Sequence, residues 1–326
     1  MICRNISKVA VLIAALCALA SPAHLSAQGF PAKPVRVVVP LAPGGATDIQ
    51  ARVLSKVLSE QFGQSFIVDN RPGASGMIGA EAVAKAVPDG YTILFTTAAL
   101  AINATLAKNA IKFDPAKDLA PIVLVSATPL VLIVHPGVPA KSADELVELA
   151  RKKPGSLNAA LTVSGSTSHL AAEMFRQLAG ISFTNVPYKG GAPAMLALMG
   201  GEVDFLFAEA LLAAPQIKAG KVRALAVTTA RPAATFPELP TMNAMLAGFV
   251  ADNWFAMYAP AGTSREIVAI LNGAVRKALE TQTVRGLFEQ DALTPVGSTP
   301  EELGAQLRRE IDRYAEVIRR GNITAQ

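Results

Sequence analysis

Val35-Arg-Val-Val-Val39 is followed at once by Pro40-Leu-Ala-Pro-Gly-Gly-Ala-Thr-Asp48, and then by Ile49, Val53, Leu54, Val57 and Leu58 at helical spacing. The near-continuous β-branched run predicts a strand buried on both faces, and the glycine pair predicts a turn into a helix with one apolar face. The same order recurs downstream. Residues 66–68 read as a second strand, Asn70-Arg-Pro-Gly-Ala-Ser-Gly76 as its turn, 78–86 as a helix, and 91–95 as a third strand that runs into Thr96-Thr97. Successive strands joined through helices lie parallel, because the crossover is long and right-handed. The fold class is therefore α/β.

Working outward, further strands are expected at 122–125, 131–134, 159–163, 203–207 and 224–227, with helices between them. Helix starts are marked by Ser142 with Glu145, by Thr263 with Glu266, and by Thr299 with Glu302, where Pro300 takes the first helical position. Leu303, Leu307, Ile311, Tyr314 and Ile318 share one face of a terminal helix, so that helix must pack on a core.

The 326 residues are 51% hydrophobic and 17% charged, which excludes disordered and fibrous classes. Arg4 and Lys8 precede an apolar run over 9–20, and small residues follow at Ser21, Ala23 and Ala27. This is the pattern of a secretory signal peptide, residues 1–27, cleaved near Ala27. The run is too short to span a bilayer, which takes roughly 20 residues. Leu16 stands before Cys17 where a lipid-modified leader needs a small residue, so lipidation is not expected. Both cysteines, Cys3 and Cys17, leave with the leader, and the remaining length suffices for two domains without disulfides. The expected compartment is the periplasm. The net charge of +5 is dispersed and the chain has one Trp and four Tyr, so it lacks the basic, aromatic face of a nucleic-acid binder.

Gly44-Gly45, Ser75-Gly76 and Thr96-Thr97 all follow strand C-termini, where open parallel sheets bind ligands. Glycine lets the backbone approach a ligand, and each following helix start offers unpaired amides, a combination that suits an anion. Ser164-Gly-Ser-Thr-Ser168 makes an equivalent donor cluster in the second half of the chain. Two such loops facing each other across a cleft would hold a small carboxylate from both sides. Thr47, Asp48 and Ser168 read equally well as helix caps, His169 as a capping or packing residue, and Trp254 and Phe255 as packing aromatics, with a place on the ligand wall as the alternative. Catalytic patterns fail. Ser75 has Gly73 before it but Met77 after it, which breaks the nucleophile elbow. Beyond the leader only His135 and His169 remain, without zinc-site spacing. The Gly-Gly loop lacks both the Lys-Ser/Thr of a phosphate loop and the third Gly of a dinucleotide fingerprint. No cofactor, metal or catalytic residue is expected; a secreted hydrolase and a ligand-sensing partner of a signalling protein are the alternatives.

Pro40-Leu-Ala-Pro-Gly-Gly-Ala-Thr-Asp48, Asp69-Asn-Arg-Pro-Gly-Ala-Ser-Gly-Met-Ile-Gly-Ala80, Pro88-Asp-Gly-Tyr-Thr92, Ser168-His-Leu170, Val186-Pro-Tyr-Lys-Gly190, Gly201-Glu-Val-Asp204 and Ala259-Pro-Ala-Gly-Thr263 occur in this order along the chain. Together they resemble the Bug-type receptors of tripartite tricarboxylate transporters. The resemblance implies a two-lobed, Venus-flytrap binding protein of type II, each lobe a mostly parallel sheet flanked by helices. It implies a discontinuous first lobe, 28–125 with 253–326, and a second lobe at 126–252. It also implies a monomer that closes on a small organic acid (a dicarboxylate, tricarboxylate or acidic amino acid) and hands it to membrane transporter subunits. By carry-over, Gly44, Gly45, Thr47, Asp48, Ala74, Ser75, Gly76 and Thr97 would line one side of the cleft, and Ser164, Ser166, Thr167, Ser168 and His169 the other. After residues 203–207 such receptors commonly carry Asp-Asn facing the cleft, where this chain has Ala208-Glu209. Inside the cleft Glu209 would repel a bare dicarboxylate and pair with an ammonium group; pointing outward it would do neither.

Overall fold

The computed structural model describes residues 29–108, 111–162, 165–188, 190–290 and 292–324, so the leader and Ser164 lie outside the described residues. In chain order the strands are β1 (Val35–Val39), β2 (Phe66–Asn70), β3 (Thr92–Thr97), β4 (Leu119–Thr128), β5 (Leu130–Val134), β6 (Asn158–Leu161), β7 (Thr184–Pro187), β8 (Phe205–Glu209), β9 (Arg223–Val227), β10 (Asn253–Pro260) and β11 (Thr294–Pro295). The helices are α1 (Ala46–Phe62), α2 (Met77–Ala84), α3 (Ala99–Leu106), α4 (Pro115–Asp118), α5 (Ala143–Lys152), α6 (Thr167–Ala179), α7 (Gly191–Met199), α8 (Ala210–Lys218), α9 (Met242–Met245), α10 (Arg265–Leu279), α11 (Gln282–Gln290) and α12 (Pro300–Gly321).

Two sheets result, a six-stranded one in the order β11-β4-β10-β3-β1-β2 and a five-stranded one in the order β7-β6-β8-β5-β9. β1 pairs in parallel with β2 and β3, and β6 does so with β7 and β8, as the βαβ reading requires. The remaining pairs are antiparallel: β10 lies between β3 and β4, and β5 lies between β8 and β9. Both sheets are therefore mixed rather than mostly parallel. In the first sheet the cause is β10, a strand that enters from far along the chain, and in the second it is β5, which is antiparallel to both its neighbours. Asn253-Trp-Phe-Ala-Met-Tyr-Ala-Pro260 is buried at every position, so it shows no period-2 alternation to mark it as a strand.

β4 ends at Thr128 in the first sheet, and β5 begins at Leu130 in the second with only Pro129 between. The chain returns through 228–252. The two passages are stitched together where Leu130 N–H donates to Thr228 Oγ1 (3.0 Å), Thr228 N–H donates to Leu130 O (3.0 Å) and Ala251 N–H donates to Thr228 O (3.2 Å). Neighbouring backbones at the junction thus keep their polar groups satisfied, as a buried passage must.

In β1, Val35, Val37 and Val39 join a core with α1 and α10, while Val38 faces a second core on the opposite side of the sheet. Arg36 departs from the expected burial on both faces: it is exposed beside the edge strand β2. The second core runs on into the other sheet through Leu132, Phe205 and Phe207 and is covered by α12. Leu303, Leu307, Tyr314 and Ile318 of α12 are buried there, with Ile311 half-buried. Helix ends follow local chemistry. Thr299 and Glu302 form the reciprocal capping box that the spacing predicts, and the Ser142 hydroxyl accepts from Glu145 N–H. Thr263 is a correction. Its hydroxyl donates to Pro260 O, and Ser264 caps α10 by accepting from Ile267 N–H.

Candidate functional site

A cavity of about 660 Å³ lies between the two sheets. Its first rim is the loop from β1 to α1. Gly44 sits at φ 84°, a conformation that favours glycine, and Gly45 caps α1 without any side chain to satisfy the first-turn amides. Asp48 shapes this loop from behind. Its carboxylate accepts from Gly44 N–H (2.9 Å), Arg52 Nε (2.9 Å) and Asn70 Nδ2 (2.9 Å). Burial alone would push the Asp48 carboxyl up; the hydrogen bonds from Arg52, Gly44 and Asn70 outweigh it and hold the group below the ordinary carboxylate range. Asn70 also donates to Leu41 O (3.1 Å), which pins the loop's entry. In the next loop Ala74 and Ser75 both take positive φ (46° and 53°), a strained conformation for residues with a side chain. That turn brings Ser75 to the cavity wall, while Gly76 packs against Pro40. Thr97, at the end of β3, completes this side; its Oγ1 accepts from Ala99 N–H (3.3 Å).

The second rim is the segment entering α6. Ser166 is the cap, its Oγ accepting from His169 N–H (3.2 Å) and lying 3.0 Å from Thr162 Oγ1. His169 Nδ1 in turn accepts from Gly165 N–H (3.2 Å). Burial pushes the imidazole below its ordinary pKa and so keeps it neutral, the form this acceptor role needs. Ser168 Oγ donates to Phe207 O (2.7 Å), which ties α6 to β8. The two rims touch where Asn103 Nδ2 of α3 donates to Gly165 O (3.4 Å), so close that a Cβ on Gly165 would lie 2.9 Å from Asn103 Oδ1.

Of the residues expected from sequence, Gly44, Gly45, Thr47, Ser75, Thr97, Ser166, Thr167, Ser168 and Glu209 line the cavity. Asp48, Ala74, Gly76 and His169 do not. Asp48 and His169 are turned inward by the bonds that order their own loops, and Ala74 and Gly76 only set the turn that presents Ser75. The wall also includes Thr162, Gly190, Gly191, Leu130, Asn253 and Phe255, which sequence reasoning did not select. Gly190-Gly191 had a usable signal, since a glycine pair supplies the cap of α7 as it does that of α1. Trp254, by contrast, is a core residue.

Five helices begin at this wall: α1 at Ala46, α3 at Ala99, α6 at Thr167, α7 at Gly191 and α8 directly after Glu209. Each start brings the positive end of a helix to the cavity, although Ala99 N–H of α3 is taken by Thr97 Oγ1, His169 N–H of α6 by Ser166 Oγ and Ala210 N–H of α8 by Pro129 O, which leaves the starts of α1 and α7 the freest. Among the described lining residues there is no Lys or Arg, and Glu209 is the one ionisable side chain. The arrangement attracts an anion by backbone dipoles and hydroxyls.

The tripartite tricarboxylate transporter family receptor model matches residues 50–323. The chain belongs to this family. It is similar to Protein BugT of Bordetella pertussis, 37% identical over 97% of this chain and 98% of that protein. Among solved structures it is similar to R. palustris Rpa4515 with adipate, 35% identical with a TM-score of 0.78 over 90% of this chain and 99% of that one. It is also similar to MatC (Rpa3494) from Rhodopseudomonas palustris with bound malate, 32% identical with a TM-score of 0.75 over 89% and 100%. The family is one of receptors. His169, the histidine nearest the rim hydroxyls in sequence, spends Nδ1 on Gly165 and sits behind them. Among the described residues no three His, Cys, Asp or Glu gather to hold a metal, and no helix is long and apolar enough to cross a membrane.

Proposed function

We propose that this receptor captures a small organic acid, a dicarboxylate, tricarboxylate or acidic amino acid, in the cavity between its sheets for uptake by a tripartite tricarboxylate transporter. The observation that carries the reading is the convergence of five helix starts on a wall without lysine or arginine among its described residues. The adipate and malate bound to the two similar structures agree with it. The proposed donors are the first-turn amides and Thr47 of α1, with Ser75 and Thr97, on one side. On the other side they are Thr162, Ser166 and the first-turn amides of α6 and α7. Asp48 and His169 act behind them. The lobes proposed are 28–125 with 253–326, and 126–252, with the first crossing drawn on to Pro129 because β4 stays in the first sheet to Thr128; they turn about the stitched passages at Leu130, Thr228 and Ala251. Ligand that binds the closed form more tightly shifts the population toward it, and closure is the signal a membrane partner reads. The working protein is an exported monomer without its leader, and it binds without catalysis.

Thermal-shift screening with adipate, malate, succinate, citrate, aspartate and glutamate tests this. A ligand at 100 times its dissociation constant adds about 2.7 kcal/mol, roughly 4 °C for a chain of this size. A shift from at least one acid, with the acid recovered unaltered, is expected. No shift from any of them, or conversion of the acid, refutes the reading.

A further inference from the structure

Glu209 sits where the cavity floor meets the two passages between the sheets. It ends β8, pairs in register with Leu130 of β5, and directly precedes α8 without acting as its side-chain cap. Its Oε1 accepts from Asn253 Nδ2 (3.1 Å), and Asn253 opens β10 of the other sheet. Leu130, Glu209 and Asn253 all line the cavity, so Glu209 borders the ligand space. Its burial raises the carboxyl pKa, with the Asn253 bond opposing that rise. Burial therefore favours the neutral acid, and a positive charge beside Glu209 favours its ionised form. Ionised, it repels the anion that the rest of the wall attracts, unless the ligand brings positive charge to that spot.

We propose that Glu209 forms a cation subsite, and that the ligand is a short dicarboxylic acid carrying a protonated amine, of the size of aspartate or glutamate. The inference rests on the carboxylate reading of the cavity given above. The ligand carboxylates lie at the helix starts of the two rims, and the ammonium pairs with the Glu209 carboxylate on the floor, held in place by Asn253. Amine-free acids gain no such pair and meet either the Glu209 charge or the cost of keeping that group protonated beside their own charge.

Titration calorimetry on the mature chain compares pairs that differ only by the amino group: L-glutamate with glutarate, and L-aspartate with succinate. In the native protein at least one amino acid binds tenfold or more tightly than its amine-free partner. Glu209→Gln brings that ratio within threefold, chiefly by weakening the amino acid, and Glu209→Asp keeps part of it. Melting temperatures of both variants report folding, and the Asp variant carries the test if the Gln variant does not fold. Glutarate or succinate binding as well as the amino acids, or a ratio that survives Glu209→Gln, overturns the cation subsite while leaving carboxylate capture intact. Binding of adipate or malate but of none of the four probes has the same meaning, and binding of no acid at all refutes both readings. Lys189 adjoins Gly190 of the wall, and its side chain lies outside the described residues. An amino-acid preference that appears only in Lys189→Met would show that this lysine neutralises Glu209 in the native protein, and would overturn the proposal.

Discussion

The two rims of the cavity present the same chemistry to a ligand and are held in place by opposite means. The first rim hangs on a buried charge: Asp48 accepts from Gly44, Arg52 and Asn70 at once. The second hangs on neutral groups, Ser166 with Thr162 and His169, His169 with Gly165, and Ser168 with Phe207. The contrast shows that helix starts can be aimed at a ligand either by a strong, pH-resistant anchor or by several weaker bonds. Charge-assisted bonds are worth roughly twice neutral ones, so the first rim is the stiffer platform and the second the more adjustable.

Substituting the anchors breaks the comparison most sharply. Asp48→Ala removes an acceptor of three bonds from a buried position and costs about 2 to 3 kcal/mol of stability, read by denaturant titration. It also frees the loop, and ligand affinity falls by roughly tenfold, about 1.4 kcal/mol. Ser166→Ala removes a helix cap and costs only about 1 kcal/mol. Equal losses from the two substitutions would erase the proposed difference between the rims.

Acid separates them more gently. Asp48 has a folded pKa below its unfolded value near 3.8, so its contribution is fully present above that value and is lost only as pH falls through the lower, folded one. His169 has a folded pKa below 6.5 because burial disfavours its charged form, so its contribution is intact above 6.5 and declines as pH falls from there toward the folded value. Stability measured from pH 7 to 5 therefore drops less in His169→Gln than in the native protein. Identical slopes would remove His169 from the second rim's support.

Much of the first rim was legible in the sequence, and less of the second. A strand, a Gly-Gly turn and an amphipathic helix follow one another directly from Val35 to Phe62, so local pattern and final placement coincide. The second rim depends on which of several adjacent hydroxyls takes the cap. Once Ser166 does, Ser168 points back to Phe207 and His169 to Gly165, a division of labour that spacing alone does not reveal. Asp48 hid its role for the same reason: a carboxylate three residues into a helix reads as a cap or as a ligand contact, and only the fold brings Asn70 and Arg52 to it. β10 escaped because Asn253–Pro260 has neither alternation nor the β-branched run that marks β1, and its insertion is what makes the first sheet mixed. Glu209 could be singled out from sequence, but its place on the cavity floor follows from the pairing of β8 with β5 and the bond to Asn253.

The central claim is that backbone amides at helix starts, and not cationic side chains, hold the ligand's carboxylates. A crystal structure of the receptor with aspartate or malate tests it most directly. Carboxylate oxygens are expected within roughly 2.7 to 3.2 Å of the first-turn amides of α1 on one side and of α6 or α7 on the other. A carboxylate gripped by a lysine or arginine, Lys189 included, or a ligand seated outside the cavity, would contradict it.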